Sequence, residues 1–102
     1  MYVAIIDFPI LDQDRARALA ALSRDAKAAR AMPGNLAFRV LSDAKNTEQI
    51  TVLHRWEDKA ACDAYVGSPL FTRIGEEIRP LMAGAPVSLR LHAHEDAPDL
   101  DR

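Results

Sequence analysis

One short segment places a histidine and the chain's only tryptophan on the same side of a predicted strand. In residues 50–56, Val52, His54 and Trp56 alternate with residues of the opposite parity. Successive strand side chains point to opposite faces, so these three share a face. An indole offers a flat wall and an N–H donor, and an ordinary imidazole titrates near neutral pH. We therefore predict His54 and Trp56 as catalytic residues and Val52 as a substrate contact. The alternative is that Trp56 is core and His54 a hydrogen-bonded neighbour or a dimer contact.

A carboxylate near the end of the first apolar strand is a second candidate. In residues 2–8, Asp7 has the same parity as Val3 and Ile5. A carboxyl group among apolar neighbours has a raised pKa and can serve as a base. We predict Asp7 as that base; the alternative is a solvated strand end beside Pro9.

The motifs of several other chemistries are absent from the sequence. It has no glycine-rich phosphate loop, no Gly-x-Ser-x-Gly elbow and no dinucleotide fingerprint. His54, His92 and His94 lack a third ligand at metal-binding spacing, and the single Cys62 excludes a Cys–Cys metal motif or an intrachain disulfide. We therefore expect neither an organic cofactor nor a metal.

Composition points to one small acidic domain. The chain has 102 residues and a net charge of -2, and its 13 basic residues form no cationic stripe, so nucleic acid is not an expected partner. No apolar run is long enough to span a membrane, and we predict a cytoplasmic protein. The predicted domain covers residues 1–93, and residues 94–102 are predicted to be a mobile acidic tail.

Hydrophobic periodicity predicts the element order β-α-β-β-α-β. The strands are predicted over 2–8, 35–42, 50–56 and 87–92, with one helix over 13–31 and a bent helix from 59 to about 81. Asp12, Asp58 and Ser68 are the predicted N-caps, and Pro69 opens the second half of the bent helix. This order is typical of the ferredoxin-like α+β fold, in which two helices pack on one face of a four-stranded antiparallel sheet.

The predicted sheet has a face that the helices do not cover. Three of its strands carry apolar residues on both parities, so either face would expose an apolar patch if it were left in water. A second copy of the chain is the simplest cover. We therefore predict a two-fold homodimer with its sheets facing each other.

The stretch that follows the third strand resembles a known family. It reads Trp-Glu-Asp at Trp56, then a helix with Tyr65, then Ser-Pro-x-Phe ending at Phe71, and Pro-Leu-Met ending at Met82. This pattern resembles the antibiotic biosynthesis monooxygenase family of dimeric α/β-barrel proteins. The resemblance implies the closed dimeric barrel, oxidation of phenols or hydroquinones by dioxygen without metal or organic cofactor, and substrate contacts from Tyr65 and Phe71 at the pocket mouth.

The sequence departs from that family at several polar positions. Many relatives carry Glu where this chain has His54, His at Tyr65, and His at Leu70. Haem-degrading members of the superfamily have Trp at Tyr65 and a haem-ligating His at Gly75, so haem degradation is not expected.

Together, these observations predict a cofactor-independent monooxygenase that acts on a phenolic, hydroquinone or polyketide-like small molecule. Such a reaction needs a substrate held as an anion in a dry pocket. Two alternatives stay open: an isomerase or lyase in the same barrel, and a non-catalytic dimeric module that binds a small ligand.

Overall fold

Four antiparallel strands form one sheet in the order β2-β3-β1-β4. The computed structural model describes residues 1–95. The strands are β1 (Tyr2–Pro9), β2 (Asn35–Ser42), β3 (Gln49–Trp56) and β4 (Val87–His92). The central pair is in register with Ala4 of β1 opposite His54 of β3. The predicted ferredoxin-like sheet is confirmed.

The helices begin at capped positions in the second half of the chain. They are α1 (Asp12–Arg30), α2 (Lys59–Val66) and α3 (Pro69–Ile78), followed by a short 3-10 turn (Arg79–Leu81). The Asp58 carboxylate accepts a hydrogen bond from the Ala61 amide at 2.9 Å, and Ser68 Oγ accepts one from the Phe71 amide at 3.2 Å. Both caps, and Pro69 as the first residue of α3, are as predicted.

The predicted cap of α1 is wrong. The helix begins at Asp12 itself, and the cap position is Leu11, whose extended backbone has no side-chain hydrogen bond to the helix. Asp12 and Asp14 lie in the first turn, where a carboxylate interacts favourably with the helix dipole without capping it.

The two faces of the sheet have different surroundings. The helices cover the face that carries Trp56, Phe8 and Phe38, which are among the largest fully buried side chains. Val87 and Leu89 of β4 lie on the other face and are 67% and 57% exposed. The expectation that one face stays open in a single chain is therefore confirmed.

A buried carboxylate joins α1 to α3. The Asp25 side chain, 1% exposed, accepts hydrogen bonds from Arg24 Nε and Nη2 at 3.2 Å and from Arg73 Nη2 at 3.1 Å. Arg24 also forms an ion pair with Glu77 of α3. These contacts fix the position of α3, which forms one wall of the cavity described below.

The C-terminal boundary is only partly covered by the described residues. Strand β4 ends at His92, and most of the predicted mobile tail, residues 96–102, lies outside the described residues. Among residues 1–95, no helix is both long and apolar enough to cross a membrane. The cytoplasmic location stays a prediction.

Candidate functional site

A cavity of about 250 Å³ lies between the helices and the covered face of the sheet. Val52 and His54 of β3 and Ile6 of β1 form part of its floor, and Phe71 and Ile74 of α3 form part of its roof. Its walls are mostly apolar. A cavity with these properties suits a small molecule with one or a few rings.

Aromatic rings surround His54. The Phe38 ring stacks on the imidazole with 5.4 Å between ring centroids, and the Tyr65 ring meets the imidazole edge-on at 5.3 Å. Trp56 stacks on Tyr65 at 5.2 Å, and Phe71 contacts the other side of Tyr65 at 5.4 Å. The His54 side chain is therefore held in one orientation by its neighbours.

Trp56 has a different place from the one predicted. It is fully buried and is not among the residues that line the cavity, so it offers no stacking wall to a ligand. Instead, Trp56 Nε1–H donates a hydrogen bond to His54 Nδ1 at 2.6 Å. Because Nδ1 accepts this bond, the hydrogen of the neutral His54 ring belongs on Nε2.

The predicted near-neutral titration of His54 is wrong. Burial, reinforced by the positive charge of Arg90, lowers the pKa of His54 to about 4. At neutral pH the imidazole is therefore uncharged, and its free nitrogen carries a hydrogen. His54 is suited to donate a hydrogen bond into the cavity, and it is poorly suited to act as a general base.

The predicted site residues divide between the two faces of the sheet. Val52, Tyr65 and Phe71 line the cavity with His54. Asp7 does not, because it lies opposite Thr51 on the open face and accepts a hydrogen bond from the Thr51 hydroxyl. Asp7 and His54 therefore lie on opposite faces of the sheet. The predicted catalytic role of Asp7 stays a prediction, and it applies to the open face.

Burial also affects the phenol in the cavity wall. Burial, and then the negative charge of Asp25, raise the pKa of Tyr65 well above its ordinary value. The Tyr65 hydroxyl stays protonated at neutral pH. Tyr65 is therefore a hydrogen-bonding group and a packing ring at this site rather than a phenolate base.

Sequence comparison assigns the family. A family model described as antibiotic biosynthesis monooxygenase matches residues 1–77. The chain belongs to the antibiotic biosynthesis monooxygenase family. No curated protein matches the chain.

Several solved structures have the same fold. A Deinococcus radiodurans protein assigned to the antibiotic biosynthesis monooxygenases superimposes with a TM-score of 0.88 at 17% identity, over 98% of this chain and 99% of that one. One from Nitrosomonas europaea gives 0.86 at 15% identity, over 91% and 98%. A Mycobacterium tuberculosis protein gives 0.83 at 20% identity, over 96% and 100%. At these identities the likeness shows the fold alone.

Three polar residues of the cavity in this family member were not predicted from the sequence. Arg79, Ser88 and Arg90 line it, and all three lie beyond the residues that the family model matches. Ser88 and Arg90 reach the cavity because β4 pairs with β1 so that Arg90 lies opposite Ala4, on the same side as His54. The alternation of residues in β4 showed that Ser88 and Arg90 share a face. The register of β4 against β1, which makes that face border the cavity, could not be read from the sequence.

A second concavity lies outside α3. It measures about 490 Å³ and shares Phe71, Gly75 and Arg79 with the inner cavity, but it also carries Glu76. No histidine lines it. Within residues 1–95, no group of three or more His, Cys, Asp and Glu side chains could hold a metal ion. We take the inner cavity as the candidate site because His54 lies in its wall.

Proposed function

We propose that this protein is a cofactor-independent monooxygenase that oxidises a phenolic or hydroquinone molecule in the inner cavity. The observation that carries the proposal is His54, a neutral hydrogen-bond donor held in an aromatic, mostly apolar cavity. Membership of the antibiotic biosynthesis monooxygenase family supports the reaction class. The mostly apolar walls limit water and leave room for rings beside dioxygen.

The reaction balances without an external reductant. The phenol loses its O–H proton to bulk water as it enters the cavity, and the bound phenolate transfers an electron to dioxygen. In a phenol with hydrogen on the para carbon, the reduced oxygen bonds to that carbon; in a hydroquinone, whose para carbon already carries oxygen, it bonds to a neighbouring ring carbon that carries hydrogen. The resulting hydroperoxide loses water. One substrate and one dioxygen thus give one water and one quinone, a para-quinone from the phenol or a hydroxyquinone from the hydroquinone, and all the electrons come from the substrate.

In this proposal the chain's own residues stabilise the anion and exclude water. The Nε2–H of His54 donates to the phenolate oxygen, and the positive charge of Arg90 lies close enough to influence the same region, as its effect on the pKa of His54 indicates. A fixed donor aimed at a developing oxyanion stabilises it more than water does, because the donor does not reorient during the reaction. Phe71 and Tyr65 pack over the ring.

Oxygen uptake with purified, chelator-treated protein tests the reaction. Hydroquinones, naphthols and anthrones are supplied, and 18O₂ should place one labelled atom in the quinone and one in water. His54→Ala should lower kcat/KM by roughly tenfold or more, equivalent to at least about 1.4 kcal/mol of transition-state stabilisation. His92→Ala is the matched control, because His92 does not line the cavity.

Two outcomes would contradict this function. Substrate conversion at the same rate without oxygen would identify an isomerase or lyase. Tight binding of the panel with no conversion would identify a binding module.

We also propose that two copies associate through the open face. Register places Leu91 opposite Val3 and Leu89 opposite Ile5, so apolar side chains of β4 and β1 are contiguous there. Leu89 and Leu91 are 57% and 36% exposed in the single chain. Burial of such side chains against a second copy would stabilise the pair.

Light scattering after size exclusion tests the assembly. The wild type should run as a dimer, and Leu89→Asp should run as a monomer because the dimer would bury an unpaired carboxylate. Ser88→Asp, on the opposite side of the same strand, is the control and should remain dimeric. A monomeric wild type at micromolar concentration would contradict the proposed dimer.

A further inference from the structure

Among residues 1–95, the inner cavity is lined by two positively charged side chains and by no negatively charged one. The two are Arg79 and Arg90. They come from different walls: Arg79 from the 3-10 turn after α3, and Arg90 from β4. Within residues 1–95, neither guanidinium forms an ion pair or a side-chain hydrogen bond.

Both arginines line the cavity and are exposed to solvent, so they mark the side on which the cavity opens. The Arg79 side chain lies beside Gly75 of α3, where an added Cβ would be 3.7 Å from Arg79 Nε. Arg90 lies on the cavity side of the sheet, opposite Ala4. Its charge is close enough to His54 to affect that ring, as described above.

These groups are all hydrogen-bond donors. Each guanidinium has several N–H donors in one plane and no hydrogen-bond acceptor, and His54 donates through Nε2–H. The complementary ligand has an acceptor group with negative charge. A carboxylate fits this pattern well, because guanidinium binds it through two parallel hydrogen bonds.

We propose that the cavity selects an aromatic ligand that carries a carboxylate, with the carboxylate bound between Arg79 and Arg90 and the ring against Val52 and Phe71. The site is the one in the proposed function, and the inference deepens it by naming the substrate class. It does not depend on the family match, which ends at residue 77. A phenol group on the same ligand would then face His54 while the carboxylate faces the mouth.

Calorimetric titration with matched probes tests the proposal. The probes are 6-hydroxy-2-naphthoic acid, whose hydroxyl and carboxylate lie at opposite ends of the rings, its uncharged methyl ester, and 2-naphthyl phosphate as a second kind of anion. The acid should bind at least roughly tenfold more tightly than the ester, since charge-assisted hydrogen bonds are the strong ones. Raising the salt concentration should reduce this difference, because both arginines are exposed to solvent.

Matched variants assign the preference to the two arginines. Arg79→Gln and Arg90→Gln should each reduce the advantage of the acid over the ester by several-fold, mainly by weakening binding of the acid. Arg39→Gln is the control, since Arg39 is exposed and lies opposite Leu53 on the open face. It should bind the acid as the wild type does.

Four outcomes would overturn the proposal: no binding of the acid, equal binding of acid and ester, a preference for the acid that survives both variants, or tighter binding of the phosphate. The proposed oxidation fails separately. Acid-selective binding without oxygen uptake would support the carboxylate site and contradict the oxygenase. Oxidation of neutral phenols with no preference for the acid would support the oxygenase and contradict the carboxylate site.

Discussion

Two groups of arginines, one where α1 meets α3 and one in the cavity, differ in how their charges are balanced. Between α1 and α3, Arg24 and Arg73 both bond to the buried Asp25, and Arg24 also pairs with Glu77. We call this group the helix seam. In the cavity, Arg79 and Arg90 form no ion pair with a carboxylate of residues 1–95.

The difference separates a structural use of charge from a binding use. A carboxylate as buried as Asp25 must be hydrogen-bonded, and the seam arginines provide those bonds. The cavity arginines satisfy no buried group, and Arg90 disfavours a proton on His54. Because both side chains are exposed, their charges cost the fold little and stay free for a ligand, as proposed above.

The largest expected effect is a loss of folding stability at low pH, caused by His54 in the cavity. The folded pKa of His54, about 4, lies below its ordinary 6.5. Between these values the unfolded chain binds a proton that the folded chain does not, so the free energy of unfolding falls as pH falls. The loss from this group should reach up to about 3 kcal/mol near pH 4.

Urea denaturation of the wild type and His54→Gln at several pH values measures that loss. Other groups contribute equally to both proteins, so the difference between the curves isolates His54. The stability of His54→Gln should fall less steeply between pH 6.5 and pH 4. Parallel curves would show that His54 titrates normally in the folded protein.

The next largest effect should come from a substitution in the helix seam and not in the cavity. Asp25→Asn removes the charge that Arg24 and Arg73 contact, and it should lower the free energy of unfolding by about 2 kcal/mol. Binding of the naphthoic acid by the folded variant should be unchanged. Asp14→Asn, at the exposed pair with Arg17, is the control and should change stability by less than about 0.5 kcal/mol.

An equal effect of both substitutions would show that the seam is no more than a surface ion pair. Loss of acid binding in Asp25→Asn would show that the seam and the cavity are coupled, against the separation drawn here.

Local patterns were enough to predict much of the cavity. Strand alternation put Val52 and His54 on one face, and the caps at Asp58 and Ser68 predicted the starts of two helices; that Tyr65 and Phe71 reach the cavity was implied by the family resemblance. Each of these features depends on residues close together in sequence. The fold class followed from their order.

Contacts distant in sequence account for what was not predicted. The proton affinity of His54 depends on burial by Phe38 and Tyr65, which lie in other elements. The place of Arg90 depends on the register of β4 against β1. Asp7 was predicted with the right parity, but both parities of β1 are apolar, so the sequence did not tell which face the helices cover.

A smaller effect should follow from the hydrogen bond between Trp56 and His54. Trp56→Phe keeps an aromatic ring and removes the N–H donor, so it should cost about 1 kcal/mol of stability. The Nδ1 acceptor would lose its partner, and the His54 tautomer would no longer be fixed. The ¹⁵N shifts of the imidazole should show Nε2–H alone in the wild type and a mixture in the variant. A mixture in the wild type would contradict the hydrogen bond.

The smallest expected effect compares one arginine from each group. Arg90→Gln removes a positive charge near His54, so the pKa of His54 should rise, whereas Arg24→Gln should leave it unchanged because Arg24 is not among the causes of that shift. The rise should be modest, since burial is the larger cause and persists in the variant. Proton NMR titration of the His54 ring measures both variants against the wild type. The order matters: a larger shift in Arg24→Gln would mean that the helix seam, and not the cavity charge, controls His54, and the two groups would then have to be treated as one network.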